Sequence, residues 1–325
     1  MESSNESTAQ SSIGLKVLSC LSLVFFNVSA TIFAEASKSD KGSYPYNTMG
    51  IPCAVEGIKL MASICFLIVD RFKLGTDKRP LSLRYTPLYA IPALCYFVSN
   101  NCMFYVIRHL GASTFQIMNN LKVLTTGVFM HVFLSRTLSW SQWKSLVLLI
   151  VGSMVTQSCA VEQSMSQDPS RNIAIGYAFV ALNSVASGAG GVFSEKLLKG
   201  NGDLLQHSGC NSIHWQNVQL YSFGFVFGAV SLHASSAVNE QIAGVNPFVG
   251  FNAFAYATVA SLTVSGLLVS FILKYMDNIA KCFATGFGML SVILLDGAMK
   301  HEPVPLQVIL GMIITGMALE QYYLP

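Results

Sequence analysis

The sequence predicts an all-α membrane protein whose ten transmembrane helices form two inverted five-helix repeats. Three observations carry this. Only 11% of the 325 residues are charged while 52% are hydrophobic, whereas a soluble domain carries about 25% charge, so the chain cannot cover an aqueous surface. Runs long enough to span a bilayer core, about 20 apolar residues each, recur ten times. The connections between them are short and provide no extramembrane domain, so the work must be done inside the helical bundle.

The runs lie at 14–35, 47–69, 86–107, 112–134, 139–158, 171–196, 213–234, 248–273, 278–298 and 304–323. Ahead of them, Met1 to Ser12 is Ser-rich and acidic, without the basic start and small-residue cleavage site of a signal peptide. Residues 1–13 are therefore expected to form a disordered cytosolic tail before an uncleaved first span. The polar stretches Ser37 to Tyr46, Phe72 to Arg84 and Glu162 to Arg171 read as loops. Ten spans put both termini on one side of the membrane. Of the 19 basic residues, eleven fall on that side, five on the other, and three, Lys59, Lys122 and Lys281, inside spans. The excess makes the side of the termini cytosolic.

The spans divide into a first repeat at 14–158, a lumenal loop at 159–170 and a second repeat at 171–325. The fourth span carries Gln116-Ile-Met-Asn-Asn-Leu-Lys122-Val-Leu-Thr-Thr126, and the ninth carries Asp277-Asn-Ile-Ala-Lys281-Cys-Phe-Ala-Thr285. A lysine with a nearby threonine thus recurs in the fourth span of each half. An odd number of spans per half makes the copies inverted, and such transporters bind near the midplane between repeats.

Several function classes are excluded. The net charge is +3, and no basic tract with interleaved aromatics is present to track a phosphate backbone, so no nucleic-acid partner is expected. The 8 Cys form no CxxC pair and read as small buried hydrophobes. The 6 His show no metal-ligand spacing, and there is neither a paired-Asp motif nor a nucleophile elbow. We expect no metal, no cofactor and no enzymatic activity.

The informative residues are the polar ones inside spans. A lysine at a span centre costs about 2.5 to 3.5 kcal/mol on insertion scales, so it needs a partner or a water-filled cavity. Lys59 follows Glu56 by one turn, which fits either an internal ion pair or direct ligand contact. Phe115, Asn119 and Lys122 fall at i, i+4 and i+7, with Gln116 and Asn120 beside them. That row of amides ending in an ammonium suits a ligand with a hydrogen-bonding head and an anionic tail; amide-mediated helix packing is the other reading. Lys281 lies one turn from Asn278 and Thr285, with Asp277 near enough to neutralise part of its charge. Two such cations suggest a phosphate-bearing ligand. Tyr96 shares a face with Asn100, beside Asn101, and Asn217 pairs with Tyr221 in the same way. A phenol can stack on a base while amides read its edge, although such pairs also serve packing. Ser184, Ser187, Gly188, Gly191 and Glu195 form a small polar stripe that lets helices approach or leaves room for a ligand. Gly224-x-x-x-Gly228 reads as a packing face within the chain or between two chains, which leaves a homodimer open.

These residues lie in segments that resemble the nucleotide-sugar transporters of the Golgi, in the branch of the CMP-sialic acid, UDP-galactose and UDP-N-acetylglucosamine transporters. The matching segments are Glu56-Gly-Ile-Lys59-Leu, Tyr96-Phe-Val-Ser-Asn-Asn101, Phe115-Gln-Ile-Met-Asn-Asn-Leu-Lys122, Arg136-Thr-Leu-Ser-Trp-Ser-Gln-Trp143, Ser187-Gly-Ala-Gly-Gly-Val-Phe-Ser-Glu-Lys196, Asn217-Val-Gln-Leu-Tyr221 and Lys274-Tyr-Met-Asp-Asn-Ile-Ala-Lys281. The resemblance implies the drug/metabolite transporter fold and exchange of a cytosolic nucleotide sugar for a lumenal nucleoside monophosphate across the Golgi membrane. It implies that Lys59, Tyr96, Asn100 and Asn101 recognise the pyrimidine nucleoside, that Lys122 and Lys281 hold phosphate, and that Ser187, Asn217, Tyr221, Ser265 and Gly266 line the cavity. The fourth-span motif looks most like the plant and algal CMP-sialic acid transporter-like members, while Phe115 and Gly266-Leu-Leu-Val269 lean towards galactose transporters. The expected partners are the two nucleotides and membrane lipid. The alternatives are export of another organic phosphate or metabolite within the same superfamily, or a non-transporting membrane scaffold.

Overall fold

The structure, a computed structural model, describes residues 2–38, 45–47, 50–74, 83, 85–110, 118–164, 172–199, 212–238, 248–299 and 306–323. Among these residues there is no strand. The helices are α1 (Glu2–Ala36), α2 (Gly50–Val69), α3 (Ala90–Leu110), α4 (Lys122–Leu134), α5 (Trp140–Ser164), α6 (Ile173–Lys199), α7 (Ile213–Val238), α8 (Ala253–Tyr275), α9 (Asn278–Met299) and α10 (Leu306–Tyr323). Among the described residues, four stretches are long and apolar enough to cross a bilayer: Gly14–Ala34, Gly50–Phe72, Ile173–Lys199 and Ala253–Tyr275. The protein is an all-helical membrane protein.

Four helices, α5, α6, α8 and α9, begin where a side chain satisfies one of the first orphan N–H groups. Before α5, Ser139 and Gln142 form a reciprocal capping box: the Gln142 N–H donates to Ser139 Oγ at 3.2 Å and the Ser139 N–H donates to Gln142 Oε1 at 3.0 Å. Asn172 caps α6 by accepting from the Ile175 N–H at 3.2 Å, and Asn252 caps α8 by accepting from Ala255 at 2.9 Å. Asp277, two residues past the end of α8, accepts from the Ala280 N–H at 2.7 Å and so caps the start of α9 at Asn278. Gly250 has φ +84°, and a Cβ there would also collide with the Pro45 carbonyl oxygen, so glycine is needed at this turn.

Three expectations differ from the structure. Residues 2–13, expected as a disordered tail, continue α1 as helix, because extending an existing helix costs far less than nucleating one. The helix α5 runs to Ser164, past the expected end of its span at 158, so 159–164 of the expected loop is helical. The expected continuous helix over 112–134 has a turn at Asn120–Leu121, and Lys122 opens α4. Consecutive amides at Asn119 and Asn120 favour local hydrogen bonding over helix continuation.

The chain folds into two compact units, one of residues 1–93 and 197–284, the other of 94–196 and 285–325, each drawing on both halves of the sequence. In the first unit α1 packs along α8 and α2 along α7. Leu23, Ile272, Ala280 and Ala284 form one core cluster, and Tyr89, Ala93, Leu197, Leu220 and Tyr221 another. In the second unit α10 packs along α5. Two glycines bring these helices close: a Cβ at Gly152 would stand 3.0 Å from the Gly311 carbonyl oxygen, and one at Gly311 would stand 2.7 Å from that of Gly152. A core cluster of this unit, Val106, Leu110 and Val180, joins α3 to α6.

Candidate functional site

In the first unit, the candidate residues converge on Lys59. Glu56 and Lys59 sit one turn apart on α2, and the buried Lys59 ammonium donates to Glu56 Oε1. The ammonium also lies 4.4 Å from the centroid of the Tyr221 ring on α7, within cation–π range. That ring is fixed from behind: the Tyr221 hydroxyl donates to the Gly266 carbonyl oxygen of α8 at 3.2 Å and shares a 2.6 Å hydrogen bond with Ser270 Oγ. Glycines make room for the charged pair. A Cβ at Gly266 would stand 2.6 Å from Lys59 Cδ, and one at Gly224 would stand 2.8 Å from Glu56 Oε2. Beside Gly266, the buried Ser265 donates to Asn27 Oδ1 of α1 at 2.7 Å.

Of the two readings of Lys59, the ion pair with Glu56 is therefore present. Gly224-x-x-x-Gly228 packs within the chain, since a Cβ at Gly228 would lie 3.5 Å from Cys53 Cα on α2. Asn217, one turn before Tyr221, is 3% exposed, and its Oδ1 has no hydrogen-bond partner among the described residues. Lys281 is half-buried in the first turn of α9, and the nearby Asp277 carboxylate is engaged as the cap of that helix.

The second unit holds the remaining candidates. Thr125 Oγ1 lies 2.9 Å from the Lys122 carbonyl oxygen and 2.7 Å from that of Ser184, which ties the start of α4 to α6. A Cβ at Gly188 would collide with Thr125 Oγ1, so the small stripe on α6 serves close packing at this point. Asn119 accepts from Asn183 Nδ2 at 3.4 Å, and Asn183 Oδ1 accepts from Ser99 at 2.6 Å, a side-chain chain linking α6 to α3. Tyr96 packs against Gly190, where a Cβ would lie 3.4 Å from its ring. Asn101 donates to the Phe97 carbonyl of its own helix at 2.8 Å, Asn100 is exposed, and Ser187 is half-buried. Phe115 and Gln116 lie outside the described residues. With a turn at Asn120–Leu121, Asn119 and Lys122 do not share one continuous helical face.

The structure adds Asn27, Ser99, Asn183, Gly224 and Ser270 to these environments. Ser270 follows Gly266 by one turn and Asn183 precedes Ser187 by one turn, so helical spacing was available as a signal for both. Asn27 had none, because its partner is 238 residues away.

A sequence-family profile described as nucleotide-sugar transporter matches residues 11–322. CMP-sialic acid transporter 1 of Oryza sativa subsp. indica is 33% identical over 93% of this chain and 92% of its own length. The Arabidopsis thaliana protein of the same name is 32% identical over 93% and 88%. The UDP-galactose translocator of Mus musculus is 32% identical over 85% of this chain and 70% of its own. A solved crystal structure at 11% identity covers 96% of this chain and 97% of its own with a TM-score of 0.69, a likeness of fold alone. With the family profile spanning nearly all of its length and relatives at this identity, the chain belongs to the nucleotide-sugar transporter family.

Proposed function

We propose that the protein exchanges a cytosolic pyrimidine nucleotide sugar for lumenal CMP or UMP by alternating access in the Golgi membrane. Ten spans in two inverted repeats with cytosolic termini are part of this reading. The observation that carries it, beside family membership, is the buried Lys59, paired with the half-buried Glu56 and held between the Tyr221 ring and Gly266. A buried lysine with a counter-ion adds little net stability compared with apolar residues of the same size, so its presence in an apolar helix pair favours a role in ligand handling. Relatives named for CMP-sialic acid and for UDP-galactose match at nearly equal identity. Their common feature is a pyrimidine nucleotide, and we assign that as the recognised class.

In this reading Lys59, Tyr96, Asn100 and Asn101 meet the nucleoside, and Lys122 and Lys281 meet phosphate. Phe115, Gln116, Asn119, Ser187, Asn217, Tyr221, Ser265 and Gly266 line the path. A ligand shifts an exchanger between states only through its differential affinity for them, so the nucleotide shared by both cargoes must supply most of the binding. Reconstituted liposomes preloaded with CMP or UMP test this. Labelled CMP-sialic acid or UDP-galactose is expected to enter faster than into empty liposomes, with AMP a poor competitor. Uptake that ignores the internal nucleotide would overturn antiport, and equal competition by AMP would overturn pyrimidine selectivity.

A further inference from the structure

The helices α2 and α7 run antiparallel, and their contacts set a register. Gly228 meets Cys53, Gly224 meets Glu56, Tyr221 meets Lys59, and further along the His214 and Phe66 ring centroids are 5.4 Å apart. One turn beyond Lys59, this register sets Ser63 opposite Asn217. Both are buried, Ser63 at 0% and Asn217 at 3% exposure. Neither Ser63 Oγ nor Asn217 Oδ1 has a hydrogen-bond partner among the described residues.

Buried polar atoms are nearly always paired. A hydroxyl inside a helix has an easy solution, donation to the carbonyl four residues back. Ser222, Thr258 and Thr263 in this same unit all take it. Ser63 does not. Two orphaned oxygens on one level of one helix pair, a turn from the Lys59–Tyr221 contact, are unfavourable to the folded protein unless something other than the protein satisfies them.

We propose that Ser63 and Asn217 together bind the nucleoside part of the transported nucleotide, its base rim or a ribose hydroxyl. This rests on the exchange reading above and adds Ser63 to it. Neither side chain carries charge, and the lysine beside them already has Glu56 as counter-ion, so the pair suits a neutral moiety and not a phosphate. An exchanger must satisfy the pair on both legs of its cycle, and the nucleoside is the neutral part that both cargoes share. A hydroxyl and an amide each donate and accept, so the pair accommodates the differing edges of cytosine and uracil.

The test is Ser63→Ala in the purified full chain, with the melting temperature of the ligand-free protein measured beside equilibrium binding of CMP, UMP and uridine per folded molecule. Removing an unsatisfied hydroxyl is expected to leave the melting temperature equal to wild type or higher, while all three ligands bind about five- to tenfold more weakly, the loss of one neutral hydrogen bond. Unchanged affinities would overturn the proposal. So would weaker binding accompanied by a lower melting temperature, which would make the hydroxyl a structural group. Wild-type protein that binds none of the three ligands would instead overturn the exchange reading beneath it.

Discussion

The Lys59 ammonium stands 4.4 Å from the centroid of the Tyr221 ring, and the hydroxyl of that ring is anchored to α8 through Ser270 and the Gly266 carbonyl. One aromatic residue thus links the charged face of α2 to a third helix. Tyr221→Phe keeps the ring beneath the ammonium but removes the anchor, and is expected to cost about 1 kcal/mol of stability. Tyr221→Ala loses ring and anchor together and is expected to cost about 3–5 kcal/mol. Thermal unfolding of the two variants in detergent checks the order, which equal losses would contradict.

Glu56→Gln removes the counter-ion of a buried lysine and is expected to destabilise the protein by about 3–5 kcal/mol. The double variant Glu56→Met, Lys59→Met restores an apolar helix pair and is expected to recover most of that loss while exchange stays absent. Recovery of both stability and nucleotide-stimulated uptake would show that the pair is only structural.

Gly266→Ala places a methyl 2.6 Å from Lys59 Cδ. The obstructed atom belongs to a flexible stem, so the chain should fold with a cost of about 1–3 kcal/mol while Lys59 is displaced from the Tyr221 ring and uptake falls. Gly316→Ala is the control, because a Cβ there meets nothing within 4 Å. Matching transport loss in the two variants would sever the link between Gly266 and Lys59.

Lys122→Gln and Lys281→Gln are expected to fold and reach the membrane yet lose uptake by about tenfold or more, the scale of one charge-assisted hydrogen bond to phosphate. Arg at either position keeps the charge but changes shape and reach, and is also expected to impair exchange. Wild-type uptake by either Gln variant would remove that lysine from the phosphate-binding set.

Gly311→Leu is expected to unfold the α5–α10 contact, since even a Cβ at Gly311 overlaps the Thr156 hydroxyl. The cost should exceed the about 1–3 kcal/mol of ordinary overpacking, because the obstructing atoms include the Gly152 carbonyl backbone, which cannot rotate away. A melting temperature within a degree of wild type would refute the close crossing.

The sequence by itself determined whatever depends on composition or on neighbours within one turn. Scarcity of charge and recurrence of apolar runs decide the membrane class, because a bilayer rewards apolar surface whatever its fine pattern. The three-residue spacing of Glu56 and Lys59 made an ion pair one of two readings, and the structure chose it; the same spacing, which holds in any helix, underlies the capping box of Ser139 with Gln142. The tertiary structure alone decided which face of each helix meets which neighbour. Asn27 joins Ser265 across 238 residues, Lys59 meets Tyr221 and Gly266, and Asn183 bridges Ser99 to Asn119. Such contacts depend on the rotation of each helix about its axis and on its register along its neighbour, and a helix that is apolar all round carries almost no periodic signal for either. The turn before Lys122 was hidden for a related reason: in an apolar run the preference of two amides for local hydrogen bonding competes with helix continuation, and packing decides the outcome.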